Sequence, residues 1–241
     1  MKIVKADASG LRLAVDYLKR GKAVVYPTDT SYGLGVDATN LTAVKRLYLI
    51  KQRKYNQPVH VIVSSFAQAK EIAIFNPTAE KLFKKFLPGP LTIVLHLTLS
   101  LSCPCGTSSP EMGEENMEGI FCLSHRGRGG ERGAWKILSG GTGTVGVRMP
   151  KNEIALKLIK LLGRPITTPS ANPPKRLRGR DSYKVADIIS QFKSKKYQPD
   201  LILDAGTLKK NKPSTIVALA GGRVTILREG PIKKKEILKN I

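Results

Sequence analysis

Apolar residues recur at helical spacing near the start of the chain, where Leu11, Ala14, Val15 and Leu18 form one stripe that Gly21 ends. Ala23-Val24-Val25-Tyr26 then reads as a buried strand, so the chain is expected to open helix then strand. Asn40 is placed to cap a second helix carrying Leu41, Val44, Leu47 and Ile50, and residues 59–63 give the next strand. Asn76-Pro77, a cap followed by proline at the first helical position, starts a helix through Phe86 that Pro88-Gly89-Pro90 breaks. Residues 91–97 and 144–147 are strand-like. A helix over 151–162 is stopped by Gly163, an extended stretch follows at 165–170, and strands are expected at 201–203, 214–219 and 224–227.

Helices and strands thus alternate along the chain, which predicts an α/β fold with helices layered on a mixed sheet and no internal repeat. The length suits one globular domain spanning 1–241. Residues 98–136 interrupt the alternation: they are rich in Gly, Ser, Cys and Glu and lack a clear period, and they read as an insertion or disordered segment. Five glutamates there nearly cancel three arginines and one lysine, so the formal charge of +23 belongs to the rest of the chain.

That charge attracts polyanions such as RNA and concentrates nucleotides near the surface, although a crowded, solvated Lys/Arg surface would give the same number. No run of eighteen apolar residues and no apolar leader is present, so no membrane association is expected and a cytoplasmic location is. The three cysteines, Cys103, Cys105 and Cys122, all fall in the irregular segment and make no disulfide framework. With His125 they could supply a zinc ligand set, but the CxC spacing and the intervening Pro104 argue against it, and no metal site is assigned.

Several segments could carry chemistry. Tyr26-Pro27-Thr28-Asp29-Thr30-Ser31-Tyr32-Gly33-Leu34-Gly35 packs hydroxyls and glycines after a strand, either to let a ligand approach the backbone or as a turn that bonds to itself. Lys51 and Arg53 at the end of the second helix can grip phosphate or complement the helix dipole. Gly141-Thr142-Gly143-Thr144-Val145-Gly146 matches the dinucleotide fingerprint in letters, but it continues into an extended stretch and then Pro150 rather than a helix, so that reading fails. Thr167-Thr168-Pro169-Ser170-Ala171-Asn172 places a dense polar cluster beside an apolar strand.

Taken in order, these segments resemble the YrdC/Sua5 family of threonylcarbamoyl-AMP synthases. The likeness rests on YPTDTxYGLG at 26–35, KxR at 51–53, PGPLT at 88–92, VRMP at 147–150, PSAN at 169–172, PSTIV at 213–217 and RxG at 228–230. The resemblance implies a YrdC-like domain with a twisted, largely parallel sheet and a concave basic cleft. It also implies a nucleotidyltransferase that joins L-threonine, bicarbonate or CO2 and ATP into threonylcarbamoyl-AMP and pyrophosphate, for the t6A37 modification of tRNA. Thr30, Arg148, Thr168 and Ser214 would hold threonine or its carbamate; Lys51, Arg53, Thr144, Ser170, Asn172 and Arg228 would hold ATP. Family chemistry implies ATP as a substrate, with magnesium, and no tightly bound cofactor or protein nucleophile. The implied partners are the downstream t6A transferase proteins and tRNA.

The chain departs from the family pattern at Pro173-Pro174-Lys175-Arg176, where a small residue and Ser-Gly are usual, at Lys54 in place of proline, at Ala218 in place of aspartate, and in the extra segment 98–136. The resemblance is to the short form, without the C-terminal domain of longer members. A rival reading is a non-catalytic protein of ribosome maturation that binds double-stranded RNA on its basic surface. Another is the carbamoyl-adenylate-forming module of HypF, which normally sits beside acylphosphatase and zinc-finger modules.

Overall fold

The computed structural model of the chain describes residues 1–98, 129–177, 179–219 and 223–241. The first half runs β1 (Lys2–Lys5), α1 (Ala8–Lys19), β2 (Val24–Pro27), β3 (Tyr32–Gly35), α2 (Leu41–Lys51), β4 (Val61–Ile62), α3 (Phe66–Ile72), α4 (Pro77–Phe86) and β5 (Leu91–His96). The second half runs α5 (Gly129–Leu138), β6 (Thr144–Arg148), α6 (Glu153–Leu162), β7 (Ile166–Thr167), α7 (Val185–Phe192), β8 (Leu201–Asp204), β9 (Thr215–Ala218), β10 (Thr225–Arg228) and α8 (Lys234–Leu238).

The strands form two mixed sheets, ordered β1-β8-β2-β3 and β10-β9-β5-β6-β4-β7, flanked by helices. The α/β class is the expected one. The pairing is more evenly divided than a largely parallel sheet, because β2–β3, β4–β7, β5–β6 and β9–β10 are antiparallel hairpins or returns. The two sheets meet where β3 lies against the stretch around β7. Backbone bonds cross there from Leu34 N to Pro169 O (2.8 Å), Thr167 N to Val36 O (3.1 Å) and Ala171 N to Tyr32 O (2.8 Å).

Strand β2 shows why the core has two halves. Its alternating side chains face opposite ways, so Val24 and Tyr26 join α1 and α6 in one apolar cluster while Val25 joins α2 and α5 in the other. The helix signals act as the sequence predicts. Asn40 and Asn76 each accept a backbone N–H three residues on, and Gly163 ends α6 at φ 71°, a left-handed cap that costs glycine little; Asn152, for which no cap is expected, starts α6 in the same way, two residues after the expected position.

Three expectations are corrected. The chain opens with a strand rather than a helix: β1 is held by parallel pairing with β8, and its exposed Lys2 and Lys5 hide the apolar alternation. Helix α3, capped by Ser65, fills a stretch that carried no assignment. Helix α5 overlaps the end of the segment read as an insertion or disordered, and its Ala134 and Trp135 are buried in the core against α2. Cys103, Cys105, Cys122 and His125 fall outside the described residues.

Candidate active site

A cleft of about 800 Å3 opens at the seam between the sheets. One wall begins with the turn after β2, where Thr28 Oγ1 donates to Ser31 O (2.6 Å) and lies 3.1 Å from Thr30 Oγ1. The turn therefore bonds to itself, as one of the two readings expects, and Thr28, Thr30, Ser31 and Gly33 also line the cleft.

Arg148, the last residue of β6, reaches this turn and is buried. Its Nη2 donates to Asp29 Oδ1 (2.5 Å), its Nη1 to Thr30 Oγ1 (3.3 Å) and its Nε to Gly89 O (3.3 Å). A guanidinium carries five N–H groups, so one on Nη1 and one on Nη2 stand outside these three bonds. Asn211 Nδ2 donates to Asp29 O (2.7 Å) and ties the loop before β9 to the same turn.

Lys51 enters from the end of α2, which stops at Gln52 in a left-handed cap with φ 44°. Its ammonium donates to Ser170 O (2.7 Å), to Asn172 Oδ1 (2.6 Å) and to Asn172 O. Burial, with the neighbouring Arg53 charge, pulls the Lys51 pKa down to about 7, while the three oxygens favour the charged form. Lys51 thus pins the Ser170–Asn172 turn as well as facing the cleft. Arg53 donates from Nη2 to Pro58 O (2.7 Å), and burial lowers its pKa.

Arg228, from β10, donates to Ser214 O (2.9 Å) and Ser214 Oγ (3.2 Å), and Ser214 Oγ lies 3.0 Å from Thr92 Oγ1. Ser214 and Arg228, assigned to different ligands by resemblance, are therefore in direct contact. Pro173, Pro174 and Arg176, the departure after Asn172, also line the cleft, and Arg176 Nη2 bonds back to Gln52 O (3.0 Å).

Nine of the ten expected residues line this space: Thr30, Lys51, Arg53, Arg148, Thr168, Ser170, Asn172, Ser214 and Arg228. Thr144 does not. It shares the β6 face of Arg148, but four residues along a strand is about 13 Å, and its Oγ1 pairs instead with Thr142 Oγ1 (2.8 Å).

The sequence reading missed His60, which lines the cleft just before β4. Burial, helped by Arg228, Arg53 and Arg148, pulls its pKa down to about 4, so it is neutral at pH 7. Its ring explains Gly146: a Cβ there would meet His60 Cδ2 at 2.4 Å. The final glycine of the apparent dinucleotide fingerprint makes room for this ring. A lone histidine before a short strand offered no periodic signal to find it by.

Among the described residues, six cations line the cleft (Lys51, Arg53, Lys54, Arg148, Arg176 and Arg228) against one carboxylate, Asp181. Among the described residues no three His, Cys, Asp or Glu converge to hold a metal ion. The donors suit anionic ligands: a planar carboxylate at Arg148, phosphates near Lys51, Arg53 and Arg228.

Fold and cleft together define an α/β protein of two mixed sheets with a cation-lined cleft at their seam. The comparisons specify it further. The model of the Sua5/YciO/YrdC family, described as "Telomere recombination", matches residues 16–113 and 120–230. The chain belongs to this family. It is 34% identical over 232 residues to the threonylcarbamoyl-AMP synthase of Pyrococcus abyssi, covering 96% of this chain and 57% of that one, so it spans little more than half of that relative. A putative threonylcarbamoyl-AMP synthase of Methanocaldococcus jannaschii is 29% identical over 240 residues, covering 97% and 95%. Among solved structures, P. abyssi Sua5 complexed with L-threonine superposes with a TM-score of 0.75 at 31% identity, covering all of this chain and 59% of that one.

Proposed function

We propose that the chain is an L-threonylcarbamoyladenylate synthase, forming threonylcarbamoyl-AMP and pyrophosphate from L-threonine, bicarbonate or CO2 and ATP, for t6A37 modification of tRNA. The observation that carries the reading is the Arg148 guanidinium, fixed on three sides beside Thr30 and facing a cleft that Lys51, Arg53 and Arg228 also line. That a structural relative is complexed with L-threonine supports an amino acid as one of the ligands.

In this reading the threonine carboxylate takes the two free Arg148 donors, and Thr30, Thr168 and Ser214 hold its remaining polar atoms. The amine adds to CO2 and loses a proton, giving N-carboxythreonine. One carbamate oxygen then attacks the α-phosphorus of ATP, the bond to the β-phosphate bridging oxygen breaks, and pyrophosphate leaves with that electron pair. Lys51, Arg53 and Arg228, with Ser170 and Asn172, hold the phosphates. They offset the charge that two anions bring together, so positioning and electrostatics supply the catalysis. Magnesium would enter as the ATP complex and lower the phosphate charge, with Asp181 the one carboxylate of the cleft lining. His60, neutral, adds hydrogen bonding without charge.

Downstream t6A transferase proteins and tRNA, in the cytoplasm, are the proposed recipients of the product. No helix among the described residues is long and apolar enough to cross a membrane.

The test is pyrophosphate release by the purified chain. Release that requires both threonine and bicarbonate is expected. Release with carbamoyl phosphate in the absence of threonine would move the chain to the chemistry of the HypF module, and no release under either condition would leave the cleft as a binding site alone.

A further inference from the structure

A second hollow, of about 700 Å3, shares Gln52, Arg53 and Lys54 with the cleft, and its other side is built from Tyr48, Leu49, Tyr55, Lys196 and Tyr197. Two features set it apart from an ordinary surface dent. Its aromatic rings are exposed: Tyr55 is 49% and Tyr197 37% accessible. Among the described residues, every charged side chain lining it is a cation: Arg53, Lys54 and Lys196.

The rings are also held ready. Tyr48 is buried, and its hydroxyl is tied to the carbonyls of Gln57 (2.8 Å) and Ile137 (2.9 Å). Tyr55 packs edge-on against it, with centroids 5.2 Å apart at 61°. Tyr55 is thus braced by its neighbour and still open to solvent. Lys196 Nζ lies 5.6 Å from the Tyr197 ring centroid, so cation and ring are presented together.

Open aromatic faces beside cations, without acids, match the chemistry of an unpaired nucleic-acid strand, whose bases stack on rings while its phosphates meet ammonium groups. An acidic peptide would use the cations but leave the tyrosines without a planar partner. A duplex keeps its bases stacked inside and cannot reach the rings. The net charge of +23 draws a polyanion to the surface in the first place.

We propose that this hollow is a docking site for single-stranded RNA, with Tyr55 and Tyr197 as base-stacking platforms and Lys54 and Lys196 as phosphate contacts. The choice of RNA rests on the tRNA-modifying function proposed above; the stacking site itself rests on the hollow. A strand seated there lies across the wall formed by Gln52, Arg53 and Lys54 and reaches the mouth of the cleft.

The experiment is a fluorescence-anisotropy titration of the full chain with a labelled ten-nucleotide oligouridine and with a blunt duplex RNA of the same length. It contains no ATP or threonine, so its result does not depend on the cleft being a synthase. The single strand is expected to bind more tightly than the duplex. Tyr55→Ala and Tyr197→Ala should each weaken it by roughly five- to a hundredfold, the range for loss of one stacked base. Tyr55→Phe and Tyr197→Phe should keep the affinity. Lys196→Ala should reduce the slope of log affinity against log salt by about 0.7, the single-strand value for one phosphate contact. Wild-type affinity in both tyrosine-to-alanine variants would overturn the proposal, as would a duplex that binds as tightly as the single strand. Pyrophosphate release by the tyrosine variants, which lie outside the cleft lining, should be unchanged and confirms that they fold.

Discussion

If the Lys51 pKa is about 7 in the empty cleft, ATP binding must take up protons. At pH 8 a group with that pKa is protonated about one-tenth of the time. An anion within about 4–6 Å lifts the pKa of a cation by roughly one to three, and a rise of about two leaves Lys51 about nine-tenths protonated at pH 8. The difference is an uptake of about 0.8 proton per ATP at pH 8, falling to about 0.5 at pH 7 and below about 0.1 at pH 6. Calorimetric titration with magnesium-ATP in two buffers of different ionisation enthalpy measures this number directly, since the apparent enthalpies differ by uptake times that difference. Lys51→Met should abolish the dependence on buffer. Identical enthalpies in the two buffers at pH 8 would refute the reasoning. They would mean that Ser170 O, Asn172 O and Asn172 Oδ1 keep the ammonium charged throughout and outweigh its burial.

Arg148→Ala should leave the partly buried Asp29 carboxylate without its charge partner and cost about 1–3 kcal/mol of stability in urea unfolding, and it should weaken threonine binding about tenfold or more. Adding Asp29→Asn should restore most of the stability but not the threonine affinity. His60 stays neutral in the folded state down to pH about 4, whereas in the unfolded chain it takes a proton below about 6.5. The folded state therefore loses stability as pH falls from about 6.5 to 4, by up to roughly 3 kcal/mol, and His60→Gln should flatten that part of a pH series of urea melts. Joining residue 98 to residue 129 through a short Gly/Ser linker should keep a cooperative melt by circular dichroism. Joining Leu97 to Lys136 should not, because it removes the buried Trp135, whose loss alone costs about 3–5 kcal/mol.

The sequence is most legible where one residue type has one structural job. Asparagine caps and the Gly163 stop predict helix ends closely, because an unpaired N–H or a left-handed backbone admits few alternatives. It is least legible where tertiary contacts decide. Strand β1 carries lysines and is defined by β8, two hundred residues away in the chain. Helix α5 begins in a glycine-rich run and is identified by where Trp135 is buried. At the site, runs of polar residues mark the walls of the cleft, but not which side chains bond to one another. Asp29 behind Arg148, and the contact of Ser214 with Arg228, join residues more than ten positions apart. Thr144 shows the reverse, a residue on the right face of the right strand but too far along it.

The two outer strands, β1 and β10, end the sheets with open backbone edges that another copy of the chain could extend. Both are four residues long, β1 carries a lysine at each end, and β10 is broken by a register shift between Ile226 and Arg228. A second molecule approaching either edge meets few consecutive hydrogen-bonding groups, and at β1 it also meets two like charges. The surplus of positive charge is therefore a colloidal safeguard as well as a means of attracting anions: like-charged copies repel before their edges meet, and added salt should weaken that repulsion.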